Sequence, residues 1–219
     1  MSGIGDAAAG VDPALCQTLA AAGVATVYEA SGRRGLIDAD LVQIVPGTRV
    51  AGAARTVLCG QDDNRAVHEA MTLLRPGEVL VLTMPEPAPV ALIGELLATQ
   101  AKVAGAAGVL VDAAVRDVAE LRELGLPVWA RWRRVRGATK RVRGSLDVPV
   151  RVGGTTLGPG DVVVLDADGG VVVARDRVAD VAASATARIE RESGLRARLA
   201  AGAHSYDLHG MRAEDESAG

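Results

Sequence analysis

Between Glu78 and Arg131 the chain alternates Val- and Leu-rich runs of strand length with longer stretches of helical pattern. This rhythm restricts the fold more than any other feature. Glu78 to Thr83 reads as a strand, Val90 to Ala104 as a helix, Gly108 to Asp112 as a strand, Asp117 to Leu124 as a helix and Pro127 to Arg131 as a strand. Strands separated by helices favour parallel pairing, with the helices covering the sheet. An α/β core is therefore expected.

The flanks add to this core. Asp12-Pro13 opens a helical pattern that Gly23 closes, because Asp caps free amides, Pro fits a first turn and Gly accepts a left-handed C-terminal conformation. Thr26 to Gly32 reads as a second short helix. Thr48 to Leu58 reads as β-rich behind the Pro46-Gly47 turn, and Asn64 is expected to cap a helix running to about Leu74. After the core, Val148 to Val152, Asp161 to Asp166 and Gly170 to Ala174 read as three strands of a β-meander, divided by Gly153-Gly154, Pro159-Gly160 and Asp168-Gly169-Gly170. Arg177 to about Leu199 reads as a final helix. One domain over 12–200 is expected, with 1–11 a flexible N-terminus and 201–219, small and polar, a mobile tail.

Composition narrows the partners. The 219 residues are 49% hydrophobic, but Val, Ala and Leu carry that share, with no Phe, two Trp and two Tyr, so the core should be aliphatic and finely packed. With 24 basic against 27 acidic residues the net charge is -3, which gives no general attraction for nucleic acid or an anionic membrane. A small molecule or a protein is the better partner. Cys16 and Cys59 show no CxxC or Cys/His spacing, so free buried thiols are expected rather than a zinc site or a disulfide. The N-terminus lacks a basic region followed by an apolar one, and no apolar stretch reaches the roughly 18–20 residues of a membrane span. A cytoplasmic location is expected.

The local pattern richest in chemistry is Gly94-Glu95-Leu96-Leu97-Ala98-Thr99, followed by Val109-Leu110-Val111-Asp112-Ala113-Ala114-Val115-Arg116-Asp117. The second run ends a hydrophobic strand in a charged pair, where open α/β sheets build sites from free amides and helix dipoles. There Arg116 suits a two-point grip on an anion, and Asp117 offers a hard oxygen ligand of the kind Mg²⁺ or Mn²⁺ takes. On pattern alone the pair reads equally as a surface ion pair with a helix cap, and Glu95 as a dipole-favoured first-turn carboxylate. A basic run of Arg131, Arg133, Arg134, Arg136, Lys140, Arg141 and Arg143, interrupted by Trp132, reads as a solvated or subunit-contacting segment before it reads as a site for RNA. An arginine of this run that reaches a neighbouring subunit's pocket is a further reading. His68 reads as a packing or hydrogen-bonding residue, and Asn64 as a helix cap before it reads as a pocket residue.

Over about Thr26 to Asp176 the chain resembles the RraA-like family of class II aldolases. The resemblance is carried by Gly94 to Thr99, by Gly105-Ala106-Ala107-Gly108-Val109, and by Val115-Arg116-Asp117 with Glu120 three residues on. It extends through Leu126 to Arg131, Val148-Pro149-Val150, Pro159-Gly160-Asp161 and Asp166-Ala167-Asp168-Gly169, in family order. It implies a single-domain β/β/α swivelling-domain type of fold and a trimeric or hexameric ring. It also implies a metal-dependent lyase that cleaves a carbon-carbon bond next to a 2-oxo acid and releases pyruvate, as 4-hydroxy-4-methyl-2-oxoglutarate aldolases with oxaloacetate decarboxylase activity do. Other members regulate ribonuclease E, so a non-catalytic regulator is the alternative. By the same resemblance Arg116 binds substrate and Asp117 the metal, Mg²⁺ or Mn²⁺, while the amides of Gly94, Glu95, Leu96 and Leu97 hold the substrate carboxylate. Glu95 takes the acid/base position, where characterised aldolases often have Asp, and Glu120 matches a carboxylate of the metal's water shell. Ala113, where Gly is commoner, and Gly170, where an apolar residue is usual, are structural departures.

Overall fold

The computed structural model describes residues 10–218, so the first nine positions of the expected flexible N-terminus lie outside the described residues. Two helices come first, α1 (Pro13–Ala22) and α2 (Val24–Ala30), divided at Gly23. Asp12 accepts a hydrogen bond from the Ala14 amide at 2.9 Å, and Gly23 adopts φ 82°, as the Asp-Pro and Gly signals anticipate. A short strand β1 (Val42–Gln43) precedes β2 (Val50–Leu58), then α3 (Arg65–Ala70), β3 (Val79–Thr83), β4 (Ala91–Ile93) and α4 (Glu95–Val103). Next come β5 (Gly108–Val115), α5 (Val118–Leu124) and β6 (Val128–Arg133), followed by β7 (Ser145–Leu146), β8 (Val150–Val152), β9 (Thr155–Leu157), β10 (Val162–Asp166) and β11 (Gly169–Val173). The long helix α6 (Val178–Ala200), α7 (Ser205–Leu208) and α8 (Met211–Ala218) end the described chain.

The main sheet has the order β1-β6-β5-β3-β2-β10-β11, with β4 also on β5 and β7 also on β2. Strands β2, β3, β5 and β6 pair in parallel, and β4 joins β5 in parallel. Every residue of β3 and β5 is buried, as expected for parallel strands covered on both faces. One face packs on α3, α4 and α5 through Val67, Leu97 and Leu121. The other packs around Trp129 and the separate β8-β9 hairpin, and α1, α2 and α6 cover β10 and β11. Trp129 is fully buried, and its indole donates to the Asp166 carbonyl at 2.8 Å. The fold is the single-domain α/β arrangement with a C-terminal helix that the resemblance implies.

Four expectations need correction. The stretch Val90 to Ala104 is not one helix: Ala91–Ile93 is a strand paired to β5, and the helix begins at Glu95. Short apolar runs carry no period, so pairing to a buried neighbour decided the outcome. Asn64 makes no side-chain cap to α3; Asp63 bonds the Arg65 amide at 2.8 Å instead, and the helix stops at Ala70. The expected three-stranded meander is a β8-β9 hairpin in its own sheet and a β10-β11 hairpin in the main one, with β9 unanticipated. Cys59 is buried, with burial pushing its thiol up to about 12, but Cys16 is only partly buried. Past α6, the short helices α7 and α8 follow a largely exposed path.

Candidate active site

The C-terminal ends of β4 and β5 lie side by side, with Ile93 paired to Val115, so the residues that follow each strand meet. After β4 comes Gly94 at the N-cap of α4; after β5 come Arg116 and Asp117 at the entry to α5. A Cβ at Gly94 would stand 2.3 Å from Asp117 Oδ2 and 3.0 Å from Arg116 Cγ. A side chain at position 94 would push the Asp117 carboxylate and the Arg116 side chain from these places. Asp117 Oδ2 accepts from the Glu95 amide at 3.1 Å, and Arg116 Nε lies 3.6 Å from the same oxygen. Asp117 does not cap α5 through its side chain, contrary to the cap reading. It sits in the left-handed region at φ 58° and ψ 47°, an unusual conformation for a non-glycine residue that is often found at functional sites. The result is a carboxylate turned across to α4, and the side chains of Arg116 and Asp117 remain 50% and 40% exposed.

Around this junction is a pocket of about 150 Å³, lined by Gly94, Leu96, Leu97, Arg116 and Asp117 and, from across the pocket, by Asn64, His68 and Lys140. At about 30 Å³ per liquid water this is room for roughly five waters, the scale of a small organic acid. Two expected residues stand apart from the lining. The Glu95 carboxylate accepts from Thr99 Oγ1 at 3.0 Å, one turn along α4, while its amide faces Asp117. Glu120 is exposed in the first turn of α5 and does not line the pocket.

Three lining residues had been given ordinary roles by the sequence, although Asn64 was also weighed there as a pocket residue. Asn64 is 7% exposed; its amide nitrogen donates to the Leu92 carbonyl at 2.9 Å, and its Oδ1 is buried with no partner among the described residues. A buried acceptor left without a donor carries a penalty of about 1–3 kcal/mol, so this oxygen is a local cost to the fold at the edge of the pocket. His68, read as a packing residue, is exposed and lines the pocket; burial of its ring and then the nearby Lys140 charge lower its pKa. Arg116 and Lys140 supply the permanent positive charge along the pocket. The signal that would have found this wall is the i, i+4 spacing of Asn64 and His68, which shares one helix face.

The basic run divides. Arg131 pairs with buried Asp112 and lies 5.9 Å from the Trp132 ring centre, Arg143 is 3.5 Å from Glu69, and Lys140 enters the pocket. As for a metal, the described residues contain no cluster of three or more His, Cys, Asp or Glu side chains. A structural zinc site does not fit. The donor here is one exposed carboxylate, which fits a hard cation that takes one or two carboxylates and fills its shell with water and ligand.

Residues 15–173 match the family described as RraA-like, Aldolase/RraA. A protein of Halalkalibacterium halodurans named "Putative 4-hydroxy-4-methyl-2-oxoglutarate aldolase" is 35% identical over 133 residues, 61% of this chain and 63% of that protein. The match thus spans less than two thirds of this curated relative. Among solved structures, Streptomyces coelicolor RraAS2, described as an unusual member of the RNase ES inhibitor RraA protein family, is 30% identical with a TM-score of 0.75, covering 84% of this chain and 96% of that one. The RNA-processing inhibitor RraA from Thermus thermophilis is 32% identical with a TM-score of 0.57, covering 61% and 80%. An uncharacterized protein from Pseudomonas syringae pv. tomato shares the fold at a TM-score of 0.80 and 24% identity, over 89% and 92% of the two chains. No described helix is long and apolar enough to cross a membrane.

Proposed function

The chain belongs to the RraA-like family, and from that premise we propose that it is a divalent-metal-dependent lyase that cleaves a carbon-carbon bond next to a 2-oxo acid and releases pyruvate. The observation that carries the reading is the meeting of Arg116 and Asp117 with the first turn of α4 at the mouth of a pocket of small-acid size. Asp117 is the residue that would hold the cation, Mg²⁺ or Mn²⁺, with Glu120 assigned to its outer water shell. When bound, that cation supplies Lewis-acid polarisation of the 2-oxo group.

The chain's own groups do the rest. The amides of Leu96 and Leu97 belong to the first turn of α4, where N–H groups lack helical partners, and they hold the substrate carboxylate. Arg116 places a planar, permanently charged donor where negative charge grows as the bond breaks. Lys140 meets a second carboxylate. Glu95 turns from Thr99 and takes up the hydroxyl proton through a water. Decarboxylation of oxaloacetate needs no such proton transfer, so Glu95→Gln should impair cleavage of 4-hydroxy-4-methyl-2-oxoglutarate far more than that of oxaloacetate. In this reading the protein acts as a trimer or hexamer in the cytoplasm.

The test is pyruvate release from both substrates, with and without EDTA. Release with Mg²⁺ or Mn²⁺, abolished by EDTA and restored by either ion, is expected; full activity after exhaustive chelation would sink the metal-dependent reading. The second reading follows the two RraA relatives, one described as an RNA-processing inhibitor and the other as an unusual member of the RNase ES inhibitor RraA family. A parent protein that releases no pyruvate under any metal and binds a ribonuclease takes that place.

A further inference from the structure

Residues 134–144 leave β6 with little regular structure, yet they close one wall of the pocket. Lys140 and Ala138 line it, and a Cβ at Gly137 would stand 2.9 Å from an Arg116 guanidinium nitrogen. Backbone pairs tie the first half of this strap: Ala91 N–H donates to the Arg136 carbonyl at 2.7 Å, Asn64 N–H to Thr139 at 2.9 Å, and Thr139 N–H to Asp62 at 2.9 Å. The second half depends on one side chain. Asp63 Oδ2 accepts from Thr139 Oγ1 at 2.5 Å, from the Arg141 amide at 2.5 Å and from the Val142 amide at 3.1 Å, while its Oδ1 accepts from Arg65 N–H.

Asp63 is completely buried and has no cationic partner among the described residues. Burial opposes its charge, but the four donors outweigh that and hold its carboxyl well below the usual carboxylate range. Capping α3 would need only the bond to Arg65. The other three bonds grip the residues on either side of Lys140.

We propose that Asp63 is a positioning residue: its buried carboxylate clasps Thr139, Arg141 and Val142 so that Lys140 stands in the pocket opposite Arg116, and in this way it sets affinity for the substrate. The proposal rests on the reading of this pocket as the substrate site. Because the backbone pairs at Arg136 and Thr139 do not involve the carboxylate, weakening it loosens the strap without unfolding the sheet.

The test uses full-length parent, Asp63→Asn, Lys140→Met and the double variant. KM and kcat for oxaloacetate are measured with saturating Mg²⁺, and amide exchange is followed at Arg141 and Val142. Bonds to a charged acceptor are worth about tenfold to a hundredfold in an equilibrium. Asp63→Asn should therefore raise KM by about that factor and change kcat by less than about threefold, with faster exchange at both amides. The double variant should be no worse than the worse single one, since both act through one contact. A KM unchanged in Asp63→Asn, or single effects that multiply in the double variant, overturns the proposal. If Asp63→Asn fails to fold, Thr139→Val removes one donor from the same oxygen and should raise KM severalfold with the same non-additivity; an unchanged KM there overturns it too. If the parent releases no pyruvate, the lyase reading fails by itself, and unchanged exchange at Arg141 and Val142 in Asp63→Asn then overturns the clasp, while faster exchange sustains it.

Discussion

Two cavities open at opposite ends of the parallel strands, and the proposed reaction belongs to the smaller one. At the C-terminal ends of β4 and β5, a pocket of about 150 Å³ meets an exposed arginine, an exposed aspartate in a left-handed conformation and a buried acceptor without a partner. At the N-terminal ends of β2 and β3 a cleft of about 760 Å³ runs between α1 and the sheet. Its buried cation is fully engaged: Arg55, 8% exposed, bonds Glu78 at 2.8 and 3.1 Å and Asp147 at 2.7 and 2.8 Å. Volume therefore does not locate the reaction. Charges paired with each other stabilise a fold, whereas charges held in place without full partners are available to a ligand.

This contrast breaks first at Asp117. Asp117→Asn keeps a residue that tolerates the left-handed conformation and removes the charge, so pyruvate release should fall to background while the melting temperature barely moves. Retained turnover would place the chemistry elsewhere. Arg116→Lys keeps charge but loses the planar fork; kcat/KM should drop by about 10²–10³, the cost of removing a donor aimed at developing charge. A change in stability of comparable size would make Arg116 a structural residue.

At the opposite end the signs reverse. Arg55→Met strands two carboxylates, one of them partly exposed, and should cost about 2–3 kcal/mol of stability by denaturant titration, with kcat/KM per folded molecule unchanged. A fall in turnover there would give the large cleft a part in the reaction. The smallest effect concerns acid. The Asp63 carboxyl is depressed, so its contribution is fully present above its ordinary value of 3.8 and is lost only as the pH falls toward the lower folded value. Exchange at Arg141 and Val142, corrected for intrinsic rates, should stay flat from neutrality down to about pH 4 and rise only below it. A rise between pH 6 and pH 4 would show that another group holds the strap.

The sequence made the strand rhythm legible because β3 and β5 are buried on both faces, which favours continuous apolar runs. It misread Val90 to Ile93 because three or four apolar residues carry no period, and parallel pairing to β5 is a tertiary fact. At the site, Gly94, Arg116 and Asp117 were visible since each stands directly after a strand. The opposite wall was not: Asn64, His68 and Lys140 come from α3 and an irregular strap, brought across by hydrogen bonds to Asp63 that span 76 to 79 positions of sequence. Local rules gave each of these residues an adequate ordinary role, as a cap, a packing residue and part of a charge run. Such roles conceal a site assembled at long range.

The central claim, that the C-terminal end of the sheet is a cation-dependent site built on Asp117, is tested most directly by electron paramagnetic resonance titration of Mn²⁺ into parent, Asp117→Asn and Arg55→Met proteins. One Mn²⁺ per chain, displaced by Mg²⁺, is expected in the parent and in Arg55→Met, and none in Asp117→Asn. Equal Mn²⁺ binding by Asp117→Asn and the parent would contradict it.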